Sequence, residues 1–557
     1  MLGMPATPDR SDSLTPSAPN ATAEISRGYP LTALQAGMLF HEIHGITGVD
    51  IEQMLVRTDE SIDVDAFTRA MIALVQRHPV LRTRFVWDTE EDPYQELVDD
   101  AVPAVRVSAR HNVREHERED DVRQCLHDDR TEGLTLAVAP PVRAMVLAYG
   151  DGDTRLLLSI HHALVDGRCF PILLEDLFAY YDAYVRGEEV DTSPTRLPYR
   201  EFVEWSVAQD HDTASRQYWT TRLAGFTAPT PLMVDTLPDR GQDPLAWQDD
   251  VACTPEETRA LETMAQRCGV TVHTIVQAAW SVLLARYSAE TDIVFGGTRA
   301  CRKSAIAGVE DAVGLFINTL PVRASVEPDT PLSTLLHELR EQWVAMRAHE
   351  HTPLSRVQAW SDVEKGQPLF DSILVFETFD LGERMRALGD AWARRDVSLY
   401  ERTNFPITVA AYHGTERLRL KIEYDPAKFS AATIRRMLGH LHALLAQFPA
   451  APDAPVRTFA LVTPTELQAL HATWATPRSF PVPGTLAEWF ARQVTQSPDR
   501  PAMRFEGRAW SYLELDAAAN RVAHALIQQH GIQRGDIVAM CVERSAEIVI
   551  GILGILK

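Results

Sequence analysis

The run His161-His162-Ala163-Leu164-Val165-Asp166-Gly167 brings two histidines, an acid and a glycine together within seven residues. Imidazole is the side chain whose ordinary proton affinity lies nearest neutrality, so a histidine here can take up the proton that an attacking nucleophile loses. The acid behind it can fix a turn, and the glycine lets backbone approach where a side chain would block it. The chemistry this layout suits is acyl transfer. The apolar run Leu156 to Ile160 predicts a buried strand ending at the histidines, and Phe170-Pro171-Ile172-Leu173-Leu174 predicts the opening of an amphipathic helix just beyond.

Further elements must position this motif. Val142–Tyr149 and Arg155–Ile160 flank an Asp151-Gly152 turn and read as a hairpin that delivers the histidines, with Phe170–Tyr184 helical after it. Phe67, Ala70, Met71, Leu74 and Val75 share one helical face over Asp63–Arg77, with Asp63 as cap and Pro79 as stop. Helices are also predicted at Thr271–Tyr287, Pro331–Arg347 and Ala431–Gln447. Strands are predicted at Asp292–Gly296, Ser372–Phe376, Ile407–Tyr412 and Leu418–Tyr424. Prolines at 449, 452 and 455 and again over 477–483 mark a linker, 451–478, holding a short helix at Thr465–Trp474. Beyond it, Thr485–Gln496 and Tyr512–Gln529 read as helices and Asp536–Val542 as a strand. The pattern stops at Lys557 inside an apolar helix with no cap, which reads as a fragment or a truncation.

At 557 residues the chain holds several core-sized units. A net charge of -23, from 54 Lys and Arg against 77 Asp and Glu, argues against nucleic acid and anionic membrane as partners. Six scattered cysteines without a C-x-x-C pair suit reduced thiols in a cytoplasmic protein. Cys169, although close to the motif, reads as a small buried hydrophobe. His41, His78, His349 and His351 lack metal-ligand spacing, so no metal site is expected. Residues 1–26 have no apolar core of a secretory signal and read as a disordered tail.

Taken with other signatures, the motif resembles the condensation domain of nonribosomal peptide synthetases. Leu31–His41 resembles the family's first signature, Arg77–Phe85 its second, His161–Gly167 the histidine motif, and Tyr199–Trp205 the segment crossing between lobes. Val313–Arg323 closely matches a fifth, while His351–Leu354 and Thr403–Pro406 are weaker echoes of the last two. Trp510–Leu515 and Gly535–Ala539 resemble the start of an adenylation domain. The resemblance implies an α/β fold of two chloramphenicol-acetyltransferase-like lobes in a V with a central tunnel. The expected organisation is an N-lobe over 27–196, a C-lobe over 197–450, the linker, and an incomplete adenylation subdomain over 479–557. It also implies amide formation between substrates brought by upstream and downstream carrier domains. Their phosphopantetheine arms would be the partners' own, with no covalent cofactor on this chain and an adenylation domain adjoining it.

Within that frame His162 is the expected catalytic residue, as base or as a group that orients the amine. Gly167 offers a backbone amide to the thioester oxygen, or is a turn glycine. His161, one register earlier, points the other way and reads as packing. Asp166 reads as half of a structural ion pair, with Arg82 as its expected partner, because a buried acid needs a cation. Asn318 and Thr319 are candidates for contact with pantetheine or substrate, or for loop hydrogen bonding. Thr403 stands where an arginine is common, and Arg168 and Cys169 stand where bulk is frequent. Ester formation, acyl transfer to a free amine and a catalytically silent recruitment platform are the competing readings. An epimerase is disfavoured by the adenylation-like segment that follows.

Overall fold

The expected hairpin forms as Val142–Ala148 and Thr154–His161, antiparallel, with Ile160 opposite Val142 and Leu158 opposite Ala144. In the computed structural model residues 28–87, 92–149, 152–209, 213–232, 247–303, 306–474 and 484–557 are described. The tail at 1–26, Asp151 of the turn and the prolines at 477–483 lie outside these. Every residue of Thr154–His161 is buried, because the strand lies inside a five-stranded sheet with apolar packing on both faces. That double burial is why its sequence is a continuous apolar run rather than an alternating one. The strand order is 395–400, 51–58, 154–161, 142–148, 104–109. Ile51 faces His161 and Glu52 faces Ile160 in the neighbouring register.

Val64–Arg77 and Cys169–Val185 are the helices packed beneath this sheet, with Phe67, Leu74, Leu173 and Phe178 in one core. Asp63 caps the first, its side chain accepting from the Ala66 amide at 3.0 Å. A second core lies under a six-stranded sheet ordered 318–325, 292–299, 372–377, 407–413, 418–424, 248–252. Val272–Ser288 is buried nearly all round against it, and Leu332–Ala345 and Ala431–Gln447 pack alongside.

The cores do not divide the chain at 196. Strand Arg395–Tyr400 leaves the second lobe to pair with Ile51–Thr58, and Val309, Ala312, Val313, Leu315 and Phe316 are buried in the first core. The two lobes are stitched by these exchanged segments. The expected linker is also corrected in its first half. Val456 and Phe459 are buried, Phe459 packs edge-on against Phe448, and Leu332 donates to the Ala454 carbonyl at 3.0 Å. Val456 and Phe459, after the last of these prolines, anchor the stretch, and the compact unit runs on to Pro464.

The second unit, Thr465–Lys557, has its own small core of Leu515, Ala519, Ile550 and Leu553. Thr485 and Ser511 cap its helices Leu486–Gln496 and Tyr512–His530 with reciprocal Glu488 and Glu514 bonds. The strand expected over 536–542 does not form: Ile537 is 97% exposed, and no described strand pairs with it. An apolar run needs a ladder partner as well as the right residues. Among the described residues no single helix is long and apolar enough to cross a membrane, and all six cysteines are free thiols.

Candidate active site

The strand ends at His161, and a single tight turn, His162–Leu164, follows. The turn is held from outside: the His162 amide donates to the Asp50 carbonyl at 2.8 Å, and Gln35 Nε2 donates to the Ala163 carbonyl at 3.0 Å. Gln35 also completes a capping box with Thr32, so the first signature helix, Ala33–Ile43, and the histidine turn are fixed together.

His162 Nδ1 lies 2.7 Å from the Val165 carbonyl. A carbonyl oxygen only accepts, so Nδ1 carries the hydrogen and the neutral ring presents its lone pair at Nε2. That is the tautomer a proton acceptor needs. Burial would lower the ring's proton affinity. The Glu52 carboxyl 3.9 Å from Nδ1 and the Val165 carbonyl outweigh it and hold the pKa above the ordinary histidine value. Glu52 in turn is pushed up to about 8 by burial, with Glu401 adding to the effect and His162 opposing it. His161 behaves differently. Its Nδ1 accepts from the Ala163 amide at 3.2 Å, and burial pushes its pKa down to about 4. It is a neutral, buried turn cap.

Asp166 faces the interface between the cores, and its partner is not Arg82. Its Oδ1 meets Arg302 Nη2 at 2.7 Å, and its Oδ2 accepts the Phe316 amide at 2.9 Å. Both side chains of the pair are at most 2% exposed. Arg82 instead reaches Asp99 at 2.9 Å, a carboxylate 72% exposed. The sequence argument for a cation was sound, but the cation comes from the other lobe, 136 residues on, and stacks over the Phe316 ring. Gly167 has an ordinary φ, so its need is space: a Cβ there would stand 3.1 Å from Glu377 Oε1.

These groups border a cavity of about 360 Å³. One wall is the helix Ala33–Ile43 with the histidine turn. The other is a face of the six-stranded sheet, where Thr319, Thr298, Val375, Glu377, Thr408 and Glu423 lie on successive strands. A second cavity of about 360 Å³ adjoins it and shares Ala33, Leu34, Ile317 and Asn318. Asn318 and Thr319 therefore both line the site, but the Asn318 amide is already spent on the Glu350 and Thr352 carbonyls at 2.9 and 2.8 Å. Sequence reasoning missed Glu52, Glu377, Glu401, Glu423 and Arg302. Glu52 is the one acid of the strand Ile51–Thr58, but with Gln53, Arg57 and Thr58 in the same strand nothing local marked it as buried.

Among the described residues, one group outside the cavity has metal-ligand chemistry: Cys253, Glu257 and His442 hold their ligand atoms within 4.8 Å of one another. Glu257 is bound to the Thr254 amide at 2.7 Å and to His442 at 3.1 Å, and burial pushes the Cys253 thiol up to about 12. Those commitments favour a hydrogen-bonded helix cap.

The family profile described as "Condensation domain" matches residues 25–471, and "AMP-binding enzyme" matches residues 490–557. The chain belongs to the condensation-domain family of nonribosomal peptide synthetases, with a partial AMP-binding region after it. A linear gramicidin synthase protein of Brevibacillus parabrevis is 34% identical over 537 residues, which are 96% of this chain and 7% of that protein. Surfactin synthase subunit 3 of Bacillus subtilis (strain 168) is 31% identical, over 96% of this chain and 42% of that protein. The chain thus spans less than half the length of each of these relatives. Among solved structures, the first condensation domain of the calcium-dependent antibiotic synthetase has a TM-score of 0.65 at 19% identity, covering 79% of this chain and all of that one. A holo four-domain nonribosomal peptide synthetase bound to AMP and glycine has a TM-score of 0.70 at 20% identity, covering 96% and 42%. The chloramphenicol-acetyltransferase-like α/β fold expected from the motifs is the fold of this condensation domain.

Proposed function

We propose that this domain joins two carrier-tethered substrates by amide formation in the cavity beside His162. The observation that carries the reading is the fixed ring: Nδ1–H tied to the Val165 carbonyl, with Nε2 free for a substrate proton. The amine nitrogen attacks the thioester carbonyl carbon, the carbon–nitrogen bond forms and the carbon–sulfur bond breaks. His162 Nε2 takes the proton from nitrogen and returns it to the departing sulfur. His162 is the catalytic residue in this reading. His161, Asp166 and Arg302 hold the turn, Gly167 keeps space beside Glu377, and Thr319 borders the substrate. Upstream and downstream carrier domains supply both arms, an adenylation domain adjoins, and the setting is cytoplasmic.

Loading two carrier domains with acyl and aminoacyl groups and following them by intact-protein mass spectrometry tests this. The expected result is a longer acyl chain on the downstream carrier, with a rate reduced about 10²–10⁴-fold in His162→Ala. No transfer by the wild type, or equal rates for the two proteins, overturns it.

A further inference from the structure

The cavity holds more carboxyls than one imidazole can use. Asp50, Glu52, Glu377, Glu401 and Glu423 all border it. Asp50 is committed to His41 at 2.6 Å. Two buried cations stand behind the four glutamates. Lys421 lies 2.7 Å from Glu423 and 3.3 Å from Glu401. Arg130 gives its guanidinium hydrogens to the Gly48, Ile51 and Tyr400 carbonyls and stabilises Glu52 through space. Arg302 and the exposed Arg168 also act on Glu377, but Arg302 is spent on Asp166, so four acids against the two remaining buried cations leave an acidic excess.

A second feature marks this excess as a binding surface. Glu52 Oε2 and Glu423 Oε2 are buried and have no hydrogen-bond partner among the described residues, on side chains 3% and 5% exposed. Buried acceptors without donors are costly, and structures keep few of them. Burial raises Glu377 to about 8 and Glu423 to about 7, the latter against the pull of Lys421. Such carboxyls carry their charge readily only when a cation arrives.

The reacting amine is a poor candidate for that cation. It attacks only as the neutral base, and carboxylates stabilise its protonated form. Glu52 also sits at the Nδ1 edge of His162, whereas the reacting nitrogen must meet Nε2. We propose that the glutamate wall binds a second, cationic nitrogen, an alkylammonium on the side chain of the aminoacyl acceptor. An alkylammonium has three N–H donors to offer the unpartnered oxygens of Glu52 and Glu423. Calling the ligand an acceptor rests on the condensation reading, but the cation site itself does not.

The test separates the two. Lysinamide and norleucinamide differ by one terminal amine, and neither is a thioester, so their binding to the full chain can be titrated calorimetrically without reaction. Lysinamide should bind at least about tenfold more tightly, and the ratio should fall towards one in Glu423→Gln. Glu52→Gln serves as the second variant should the first fail to fold. Equal affinities for the two amides, or a ratio kept in both variants, overturns the inference. Carrier-loaded lysyl and norleucyl acceptors are then compared with one donor. Equal yields alongside equal affinities would remove the cation site and leave condensation standing. Selective lysinamide binding without product from either acceptor would keep the site and remove the condensation reading.

Discussion

Arg302→Met should be among the most damaging single changes near the site, although Arg302 borders no reacting atom. The residue donates through Nη2 to Asp166 at 2.7 Å and through Nη1 to the Val309 and Ala312 carbonyls at 3.1 and 2.6 Å. Methionine keeps much of the stem against Phe316 but leaves two carbonyls without that donor and a buried carboxylate without its cation. Asp166 would retain the Phe316 and Arg168 amides at 2.9 and 3.2 Å, which limits but does not cancel the loss. Removing one partner of such a buried pair costs about 3–5 kcal/mol. Asp166→Asn should cost less, since the amide oxygen still accepts from Phe316 and Arg302 keeps its carbonyls. The double variant should cost less than the two singles added, by about 0.5–3 kcal/mol. Arg82→Met is the control. Its partner Asp99 is 72% exposed, and a pair of that kind contributes about 0–1 kcal/mol. Urea unfolding followed by tryptophan fluorescence reads the four variants beside wild type, and acyl transfer well below the transition reads the site. If Arg302→Met unfolds within about 0.5 kcal/mol of wild type, or if Arg82→Met is the more damaging, the inter-lobe pair does not hold the motif.

Other outcomes follow from the same geometry. Glu52→Gln removes the carboxyl whose ionised form raises the His162 pKa. Transfer needs the unprotonated ring, so the rising acid limb of the kcat/KM–pH profile should move to lower pH; an unmoved limb would show that Glu52 does not tune the ring. Gly167→Ala meets no backbone strain but presses its methyl on Glu377 Oε1 at 3.1 Å. Turnover should fall several-fold with a melting temperature close to wild type, and the shorter Glu377→Asp in the same chain should restore part of it. Asn318→Ala abandons two carbonyls and should lower stability by about 1–3 kcal/mol in a denaturant series, while Thr319→Val, with no comparable commitment, should act on KM.

What was legible in the sequence follows from how local each cause is. Helix Val64–Arg77 is written in its own periodicity and cap, and Ala431–Gln447 begins and ends where its pattern does. The histidine motif was readable because strand, turn and helix meet within about ten residues. The glutamate wall was not, because its meaning depends on another lobe. In Leu418–Tyr424 the residues Leu418, Leu420, Ile422 and Tyr424 enter the second core, so Lys421 and Glu423 occupy the face that normally meets water. Such alternation reads as a half-exposed strand. Glu401, just after the exchanged strand, and the other groups of the cavity meet that face instead, and Lys421 and Glu423 become 3% and 5% exposed. Arg302 was hidden for the same reason: nothing in its neighbours indicates that its loop crosses to the first core. The residues that set the charge of the cavity are those whose burial comes from the meeting of the lobes, so their protonation, unlike that of a helix cap, tests whether the lobes meet across this cavity.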